Sequence, residues 1–261
     1  MIITSEILQS LIQCEYKGYL KFQGNVGIKT DFEKLNIEFK NTFSKRFENK
    51  HKKIHTYIKP FKIYDYQEND IIKNVILKNE IFHINLEFLK VIKDKKTGEL
   101  QIIPITVTYQ EKINQRLKLF QTFLLDYINS STGFQSNYGL IIFGKELKQT
   151  KVYYKLNPEL NRLKGKIDNI NESTLFISNQ CGACEFNQHC LDIARKEDFI
   201  CQIAGVSKTD IRKKNEKGIF TLTQLSYTFR PRRNRKRKKA NSKKRKIELQ
   251  ALTLRENKIH I

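Results

Sequence analysis

Three of the chain's five cysteines stand within ten residues, in the stretch QCGACEFNQHC at positions 180–190. Their spacing, C-x2-C-x5-C, exceeds what chance would place in a chain so poor in cysteine. Closely spaced thiolates are ligands for structural zinc and for iron–sulfur clusters, and both kinds of site normally take four protein ligands. We therefore expect Cys181, Cys184 and Cys190 to hold a metal or cluster with a fourth ligand from elsewhere, the alternative being three buried thiols.

Cys14 is the natural fourth ligand. The stretch TSEILQSLIQCEYKGYLKF near the start reads as an amphipathic helix. Ile7, Leu11 and Cys14 follow a four-then-three spacing, so the cysteine is predicted on the apolar side of this helix.

Two other residues compete for the fourth position. Cys201 is the remaining cysteine, and His189 would complete a Cys3His zinc site. Coordination by Cys14 would link it to Cys181, 167 residues further on. Closing so long a loop removes much entropy from the unfolded chain, so the metal would act as a staple between two distant segments.

Positive charge is concentrated late in the chain. The formal net charge is +22, and the stretch RPRRNRKRKKANSKKRK at 230–246 holds twelve Lys and Arg and no acid, leaving +10 for the rest. A polycation beside a basic domain favours a polyanionic partner, most commonly a phosphate backbone. We expect DNA or RNA to be bound independently of base sequence. A solvated linker and an anionic membrane surface are the alternatives, although no amphipathic helix is predicted beside the run. The candidate phosphate contacts are Arg230, Arg232, Arg233, Arg235, Lys236 and Arg237.

The compartment is expected to be the cytoplasm. No apolar stretch approaches the roughly 18 residues that a membrane-spanning helix needs. The first residues, MIITSEILQS, lack the basic and apolar regions of a signal peptide. Five cysteines form an odd and low count for a secreted disulfide scaffold, so the thiols are expected to be reduced and able to bind metal.

The hydrophobic pattern predicts an α/β fold with a mixed sheet flanked by helices. Phenylalanines recur at helical spacing over 31–50, and a second helix is predicted over 112–129. Strands are predicted in HTYIKPFKIYDY, DIIKNVIL, EIFHINLEFLKVIKD, GELQIIPITVTYQ, YGLIIFGKE and KVYYKL. The expected division is a sheet domain over 1–195, a helical hairpin over 196–229, a basic linker over 230–246, and the first strand of a further element over 247–261.

The segment VSKTDIRKKNEKGIFTLTQL resembles a helix-hairpin-helix motif. In that motif a glycine-containing turn aims backbone N–H groups at a phosphate. Gly218 lies at the predicted turn, and Lys213, Lys214 and Lys217 surround it. Contacts of this kind would not distinguish base sequences. The alternative is a plain pair of helices that packs on the core.

Together these features resemble the iron–sulfur branch of the RecB-like nucleases. The likeness rests on the single early cysteine, the α/β middle, and CGACEFNQHC followed by GIFTLTQLSYTFRPRR, a basic stretch and LQALTLRENKIHI. It extends over nearly the whole chain and is strongest from Cys181 onward. The resemblance implies a restriction-endonuclease-like sheet and a [4Fe-4S] cluster on Cys14, Cys181, Cys184 and Cys190, with zinc as the alternative. Some such proteins continue into an RNase H-like exonuclease domain, and we expect an exonuclease or helicase as a further partner.

The same resemblance implies where catalysis would lie. RecB-like nucleases resemble the PD-(D/E)xK superfamily, in which an Asp on one strand and an acid-x-Lys on the next hold Mg²⁺ and position water. Here HINLEFLKV offers Glu87, with Asn85 where an Asp is expected, and QIIPITVTY offers only Thr106 and Thr108. We therefore expect a nucleic-acid-binding protein with a degenerate nuclease site. An active Mg²⁺-dependent DNA exonuclease or endonuclease and a zinc-stabilised interaction module are the alternatives.

Overall fold

The computed structural model describes residues 2–51, 53–57, 62–94, 98–230 and 247–259. The strands are β1 (Ile3–Thr4), β2 (Ile54–Thr56), β3 (Ile71–Lys78), β4 (Phe82–Lys93), β5 (Leu100–Thr108), β6 (Tyr138–Phe143) and β7 (Lys148–Tyr153). The helices are α1 (Ser5–Gln13), α2 (Glu15–Phe22), α3 (Asp31–Lys50), α4 (Gln115–Ser131), α5 (Pro158–Asp168), α6 (Asn187–Lys196), α7 (Lys208–Asn215), α8 (Leu222–Tyr227) and α9 (Ile247–Glu256). None of these helices combines the length and hydropathy that crossing a bilayer would need.

The strands form one mixed sheet, as the sequence predicted. Its order is β2-β3-β4-β5-β6-β7, with β1 added in parallel beside the first residues of β4. The pairs β2–β3 and β5–β6 are parallel, and the pairs β3–β4, β4–β5 and β6–β7 are antiparallel. The predicted hairpin between β4 and β5 is confirmed by their antiparallel register, although residues 95–97 of its turn lie outside the described residues.

The described chain divides into two compact units. The first contains residues 1–26 and 34–174, and the second contains residues 27–33 and 175–261. The boundary drawn from the sequence after residue 195 lies within the second unit.

The sheet of the first unit is covered on both faces. On one face, side chains of α1, α4 and α5 form the larger core with the sheet, and Leu8, Leu125 and Leu160 are fully buried there or beside it. On the other face, Phe47 of α3 packs on Phe88 with ring centroids 4.8 Å apart. Burial of apolar area on both faces explains why the strands near the centre of the sheet, β4 and β5, are rich in isoleucine, leucine and valine.

A buried glutamine ties α4 to the sheet. Gln121 has no solvent exposure, its Oε1 accepts a hydrogen bond from Thr106 Oγ1 at 2.6 Å, and its Nε2 donates to the carbonyl of Pro104 at 2.7 Å. Gly139 of β6 makes room for this side chain, because a Cβ there would lie 2.0 Å from Gln121 Nε2. The glutamine thus satisfies a carbonyl and a hydroxyl that would otherwise be buried without partners.

We expect Gly139→Ala to lower the free energy of unfolding by about 1–3 kcal/mol, because the added methyl displaces a hydrogen-bonded, fully buried side chain. Gly165→Ala is the matched control. Nothing lies within 4 Å of a Cβ at Gly165, which is inside α5, so this variant should gain about 0.5–1 kcal/mol from helix propensity. Urea unfolding of both variants checks the prediction, and equal stability of Gly139→Ala and wild type would contradict it.

Of two sequence predictions near the start, the continuous first helix is wrong. The strand HTYIKPFKIYDY is confirmed only at its start, by β2, and its residues 58–61 lie outside the described residues. The first helix is not continuous, because Cys14 has extended backbone angles (φ −157°, ψ 123°) and separates α1 from α2. Gly18 allows α2 to fold back on α1, since a Cβ there would lie 2.4 Å from Leu11 Cγ. In HTYIKPFKIYDY the described strand covers only Ile54–Thr56, and a 3-10 turn occupies Ile63–Asp65.

The strand predicted at the end of the chain is also wrong, because Ile247–Glu256 is helix α9. Ala251 of this helix is fully buried, and Ile247, one turn earlier, packs in the same small core with Leu222 and Leu225 of α8. The apolar residues of IELQALTL therefore pack at helical spacing, although they alternate along the sequence. Most residues of this segment also have a high helix propensity.

Candidate functional site

The three clustered cysteines lie on one short segment of the second unit. Cys181 begins a 3-10 turn, Cys184 follows it directly, and Cys190 lies in the first turns of α6. The amide of Cys184 donates to the carbonyl of Cys181 at 3.0 Å, so the C-x2-C pair belongs to a single closed turn. Phe186, which directly precedes α6, is buried with 4% exposure.

Neighbouring backbone holds the segment in place. Within the second unit, the amide of Ile28 donates to the carbonyl of Glu185 at 3.0 Å, and Thr30 Oγ1 donates to the carbonyl of Ala183 at 3.2 Å. Gly27 permits this approach, since a Cβ there would lie 2.8 Å from the carbonyl oxygen of Glu185. The cysteine turn is therefore braced by a strip of chain from much earlier in the sequence.

A backbone hydrogen bond orients the sulfur of Cys181. The amide of Ser178 donates to Cys181 Sγ at 3.3 Å. All five cysteines, each within the described residues, are reduced, and the three of the cluster are half-buried. The donor set therefore fits a metal or cluster in its chemistry. The geometry does not form a complete metal site, because among the described residues no three His, Cys, Asp or Glu side chains are grouped around a common metal position.

The candidates for a fourth ligand differ in environment. Cys14 is half-buried at the junction of α1 and α2, and His189 is exposed on α6. Cys201 is 4% exposed, and burial raises the pKa of its thiol above the ordinary value. A neutral buried thiol is the form that packs as a small apolar side chain, which is the structural alternative to coordination for Cys201.

Glu87 lies on β4 as predicted, and α3 covers it. Ser44 Oγ donates a hydrogen bond to Glu87 Oε1, and Lys40 Nζ lies 3.8 Å from Glu87 Oε2. The side chain of Glu87 is 23% exposed. On β3, which pairs with β4, Lys73 lies opposite Phe88 and Val75 lies opposite Leu86. Asn74, between Lys73 and Val75, has a positive φ of 58°.

The strand next to Glu87 offers no second carboxylate on that face. Ile105 and Val107 of β5 are buried in the apolar cluster under α3. Thr106 points to Gln121 on α4, and Thr108 Oγ1 accepts from the amide of Gln110 at 3.4 Å. Among the described residues, neither neighbouring strand, β3 or β5, gives Glu87 a second carboxylate, and no three His, Cys, Asp or Glu are grouped to hold a metal ion. Glu87 already faces Lys40, so these described residues do not fit a Mg²⁺ site.

The predicted helical hairpin is formed by α7 and α8, with Gly218 at the turn in a left-handed conformation (φ 75°). The amide of Gly218 donates to the carbonyl of Asn215 at 2.9 Å, and that of Ile219 donates to the carbonyl of Lys214 at 3.0 Å. This pair of bonds is a Schellman motif, in which glycine ends a helix and reverses the chain.

The amides at this turn already have acceptors within the chain, whereas the predicted phosphate contacts of Lys213 and Lys217 stay a prediction. All amides from residue 217 to 224 donate to oxygens of the chain itself. Gln224 Oε1 accepts from the amides of Phe220 and Thr221, and Asp198 accepts from those of Leu222 and Thr223. Any phosphate contact at this turn must come from side chains.

The basic residues of the hairpin have different surroundings. Lys214 Nζ lies 2.6 Å from Glu248 Oε1, and this hydrogen bond lowers the pKa of Glu248 below its ordinary value. Lys214 thus ties α7 to α9. Lys213 and Lys217 are exposed, and so is Arg230. The other predicted phosphate contacts, Arg232, Arg233, Arg235, Lys236 and Arg237, lie outside the described residues.

Comparison with known proteins adds only a distant likeness. No protein-family model and no curated protein sequence matches the chain. A crystal structure described as that of SSO0001 is similar over 72% of this chain and 84% of its own, with 10% identity and a TM-score of 0.39. At that distance the likeness carries no argument about function.

Proposed function

We propose that this protein is a RecB-like protein that binds nucleic acid independently of sequence, carries a cysteine-held [4Fe-4S] cluster, and does not cleave by itself. The observation that carries the binding proposal is the surface of the second unit at the α7–α8 turn. Lys213 and Lys217 are exposed there. Arg230 is exposed beyond the end of α8, and it begins a run of twelve cations over 230–246. Side-chain cations without amide donors or base-reading groups favour contact with the phosphate backbone.

Pairing of the nearby acids supports the same reading. Asp210 belongs to the capping box of α7, whose N-cap residue is Ser207, and the hydrogen bond from the Ser207 hydroxyl lowers the pKa of the Asp210 carboxyl. Glu216 lies 3.7 Å from Arg212, and Glu248 pairs with Lys214. The acids of the hairpin are therefore engaged within the unit, and the field at its surface is dominated by lysine and arginine.

Binding is expected to weaken steeply with salt. For duplex DNA the log–log slope of affinity against salt is about −0.9 for each phosphate contacted. Deleting residues 231–246 should make the slope much less steep. The double variant Lys213→Ala with Lys217→Ala should reduce its steepness by the amount expected for the loss of about one to two phosphate contacts. Filter binding or anisotropy from about 50 to 300 mM salt, with one labelled duplex, measures all three slopes.

The matched control is Lys112→Ala with Lys118→Ala, which removes the same charge from two exposed positions of the first unit. Its slope should stay close to that of wild type. An unchanged slope after deletion of 231–246 would make the run a passive linker. Failure of the wild-type chain to bind any nucleic acid at 50 mM salt would overturn the proposed function.

A further inference from the structure

Strand β7 lies at an outer edge of the sheet in the first unit. It pairs with β6 on one side, and no other described strand pairs with it, so its opposite side is a free edge. Tyr154 lies one position beyond β7, and its amide donates to the carbonyl of Asn137, one position before β6, at 3.0 Å. Because inward- and outward-pointing backbone groups alternate in an antiparallel ladder, the amides and carbonyls of Gln149, Lys151 and Tyr153 point to the free edge.

Contacts with α4 fix the shape of this strand. Tyr154 Oη donates to Asp126 Oδ1 of α4 at 3.0 Å, and Asp126 is buried. Val152 is paired with Gly139 of β6, which packs on Gln121 of α4. A strand that is already extended and anchored loses little conformational entropy when a further strand pairs with it.

Lysines commonly guard an exposed strand edge, but those of β7 are engaged elsewhere. Lys151 Nζ lies 4.5 Å from the centroid of the Tyr138 ring on β6, so it is drawn over the sheet and away from the free edge. Lys148 Nζ lies 3.1 Å from Glu146 Oε2, in the turn before the strand. The strand also contains no proline that would remove an outward amide. Its outward backbone groups are therefore open to a partner strand.

The surface beside the free edge combines an exposed aromatic ring with positive charge. Tyr153 is 65% exposed, and its ring centroid lies 6.0 Å from that of Tyr138. Residues 145–155 hold four lysines and one acid, Glu146, which is paired with Lys148. A second copy of β7 would bring lysines towards lysines, whereas an acidic strand complements this charge.

We propose that β7 accepts an extended acidic segment of a partner protein as an additional strand of the sheet. Gln149, Lys151 and Tyr153 supply the main-chain hydrogen bonds, and the surrounding lysines contact the carboxylates of the segment. A peptide offers both donors and acceptors to the free edge, whereas a phosphate backbone offers acceptors alone and would leave the outward carbonyls without partners. This inference is independent of the proposed nucleic-acid binding.

The test uses the full chain and three synthetic peptides of equal length. One alternates glutamate with valine, the second is the same peptide with all amides N-methylated, and the third alternates lysine with valine. In the free protein, amide hydrogen exchange measured by NMR should be slow at Thr150 and Val152 and fast at Gln149, Lys151 and Tyr153. With the acidic peptide at about ten times its Kd, exchange at the last three should slow about tenfold, because they then exchange only from the free fraction. Neither of the other peptides should slow it.

Gln149→Pro is the discriminating variant. It removes one outward amide and leaves the hydrogen bonds to β6 in place, and proline is tolerated at such a position of an edge strand. It should weaken binding of the acidic peptide by about tenfold, since one hydrogen bond is lost and the proline ring stands at the edge. Gln149→Ala is the matched control, because it keeps the amide and should bind like wild type. Thermal unfolding should be nearly the same for both variants.

Absence of protection by the acidic peptide, or equal protection by the lysine peptide, would overturn the proposal. Protection that rises with protein concentration in the absence of peptide would assign the free edge to a second copy instead. Protection of the same amides by oligothymidylate would assign it to nucleic acid. Each of these results would leave the proposed function of the second unit standing.

Discussion

We expect the anaerobically purified protein to be brown and to contain about four iron atoms per chain, and Cys14→Ala to contain almost none. The reason is that Cys181, Cys184 and Cys190 are proposed to supply three thiolates from one braced segment, which would leave a four-ligand cluster one ligand short. Cys14 is proposed as that ligand from the sequence, as a single cysteine at an early helix. Iron and sulfide analysis, with the visible absorption spectrum, measures the outcome.

The same variant should lose much of its stability. A link between positions 167 residues apart removes about 5 kcal/mol of unfolded-state entropy in the loop-closure estimate, a large share of the stability of an ordinary domain. Cys184→Ala should resemble Cys14→Ala, because either change breaks the four-ligand set. Thermal unfolding of the anaerobic proteins, followed by far-UV circular dichroism, checks this comparison.

Cys201→Ala is the matched control. The Cys201 thiol is buried, so its loss should cost the small free energy of a core cavity and leave the iron content unchanged. Equal iron loss in Cys14→Ala and Cys201→Ala would show that the ligand assignment is wrong. A colourless wild-type protein that holds one zinc ion, purified from iron-replete cells, would replace the cluster with the zinc alternative.

Local sequence patterns sufficed for much of the first unit. The phenylalanine spacing over 31–50 predicted α3 with its bounds, because apolar residues at helical spacing indicate an amphipathic helix, although only Phe47 of this helix is buried. The apolar runs of β3, β4 and β6 predicted buried strands for the same reason. Glu87 was located on its strand correctly, since its position follows from the strand alone.

The remaining features depend on contacts between segments distant in sequence. No local signal marks the break at Cys14, which accompanies the fit of Gly18 against Leu11. Apolar and polar residues alternate in α9 as they would in a strand, but the packing of this segment on α8 favours a helix. The amides around Gly218 were expected to face a ligand, yet their acceptors include Asp198, twenty residues earlier. One indirect signal was present, because glycine after a basic helix is as typical of a Schellman ending as of a phosphate turn.

The surroundings of Glu87 bear on whether a chain with the proposed nucleic-acid binding would also cleave its ligand. Near neutral pH, rapid hydrolysis of a phosphodiester by a nuclease of the proposed RecB-like kind needs a metal ion held by carboxylates and a water placed for attack. Mg²⁺ gives up its water reluctantly and is seldom held by one protein carboxylate without substrate phosphates. Glu87 already accepts a hydrogen bond from Ser44 and faces Lys40, and the adjacent strand presents Ile105 and Val107.

We therefore expect wild type and Glu87→Ala to release nucleotides from labelled single-stranded DNA at the same background rate, with 5 mM Mg²⁺ or Mn²⁺. Glu87→Gln is the matched control for folding, because its amide oxygen can still accept from Ser44 while the charge is lost. Gel analysis over several hours, with binding confirmed for each chain, separates absence of chemistry from absence of substrate. Robust cleavage by wild type that both variants abolish would mean that Glu87 holds a working metal site. Equal background rates in chains that bind normally would assign any cleavage in the cell to a partner or to another domain. The physical reason would be that a carboxylate facing Lys40, with no second carboxylate on the described residues of β3 and β5, holds Mg²⁺ poorly.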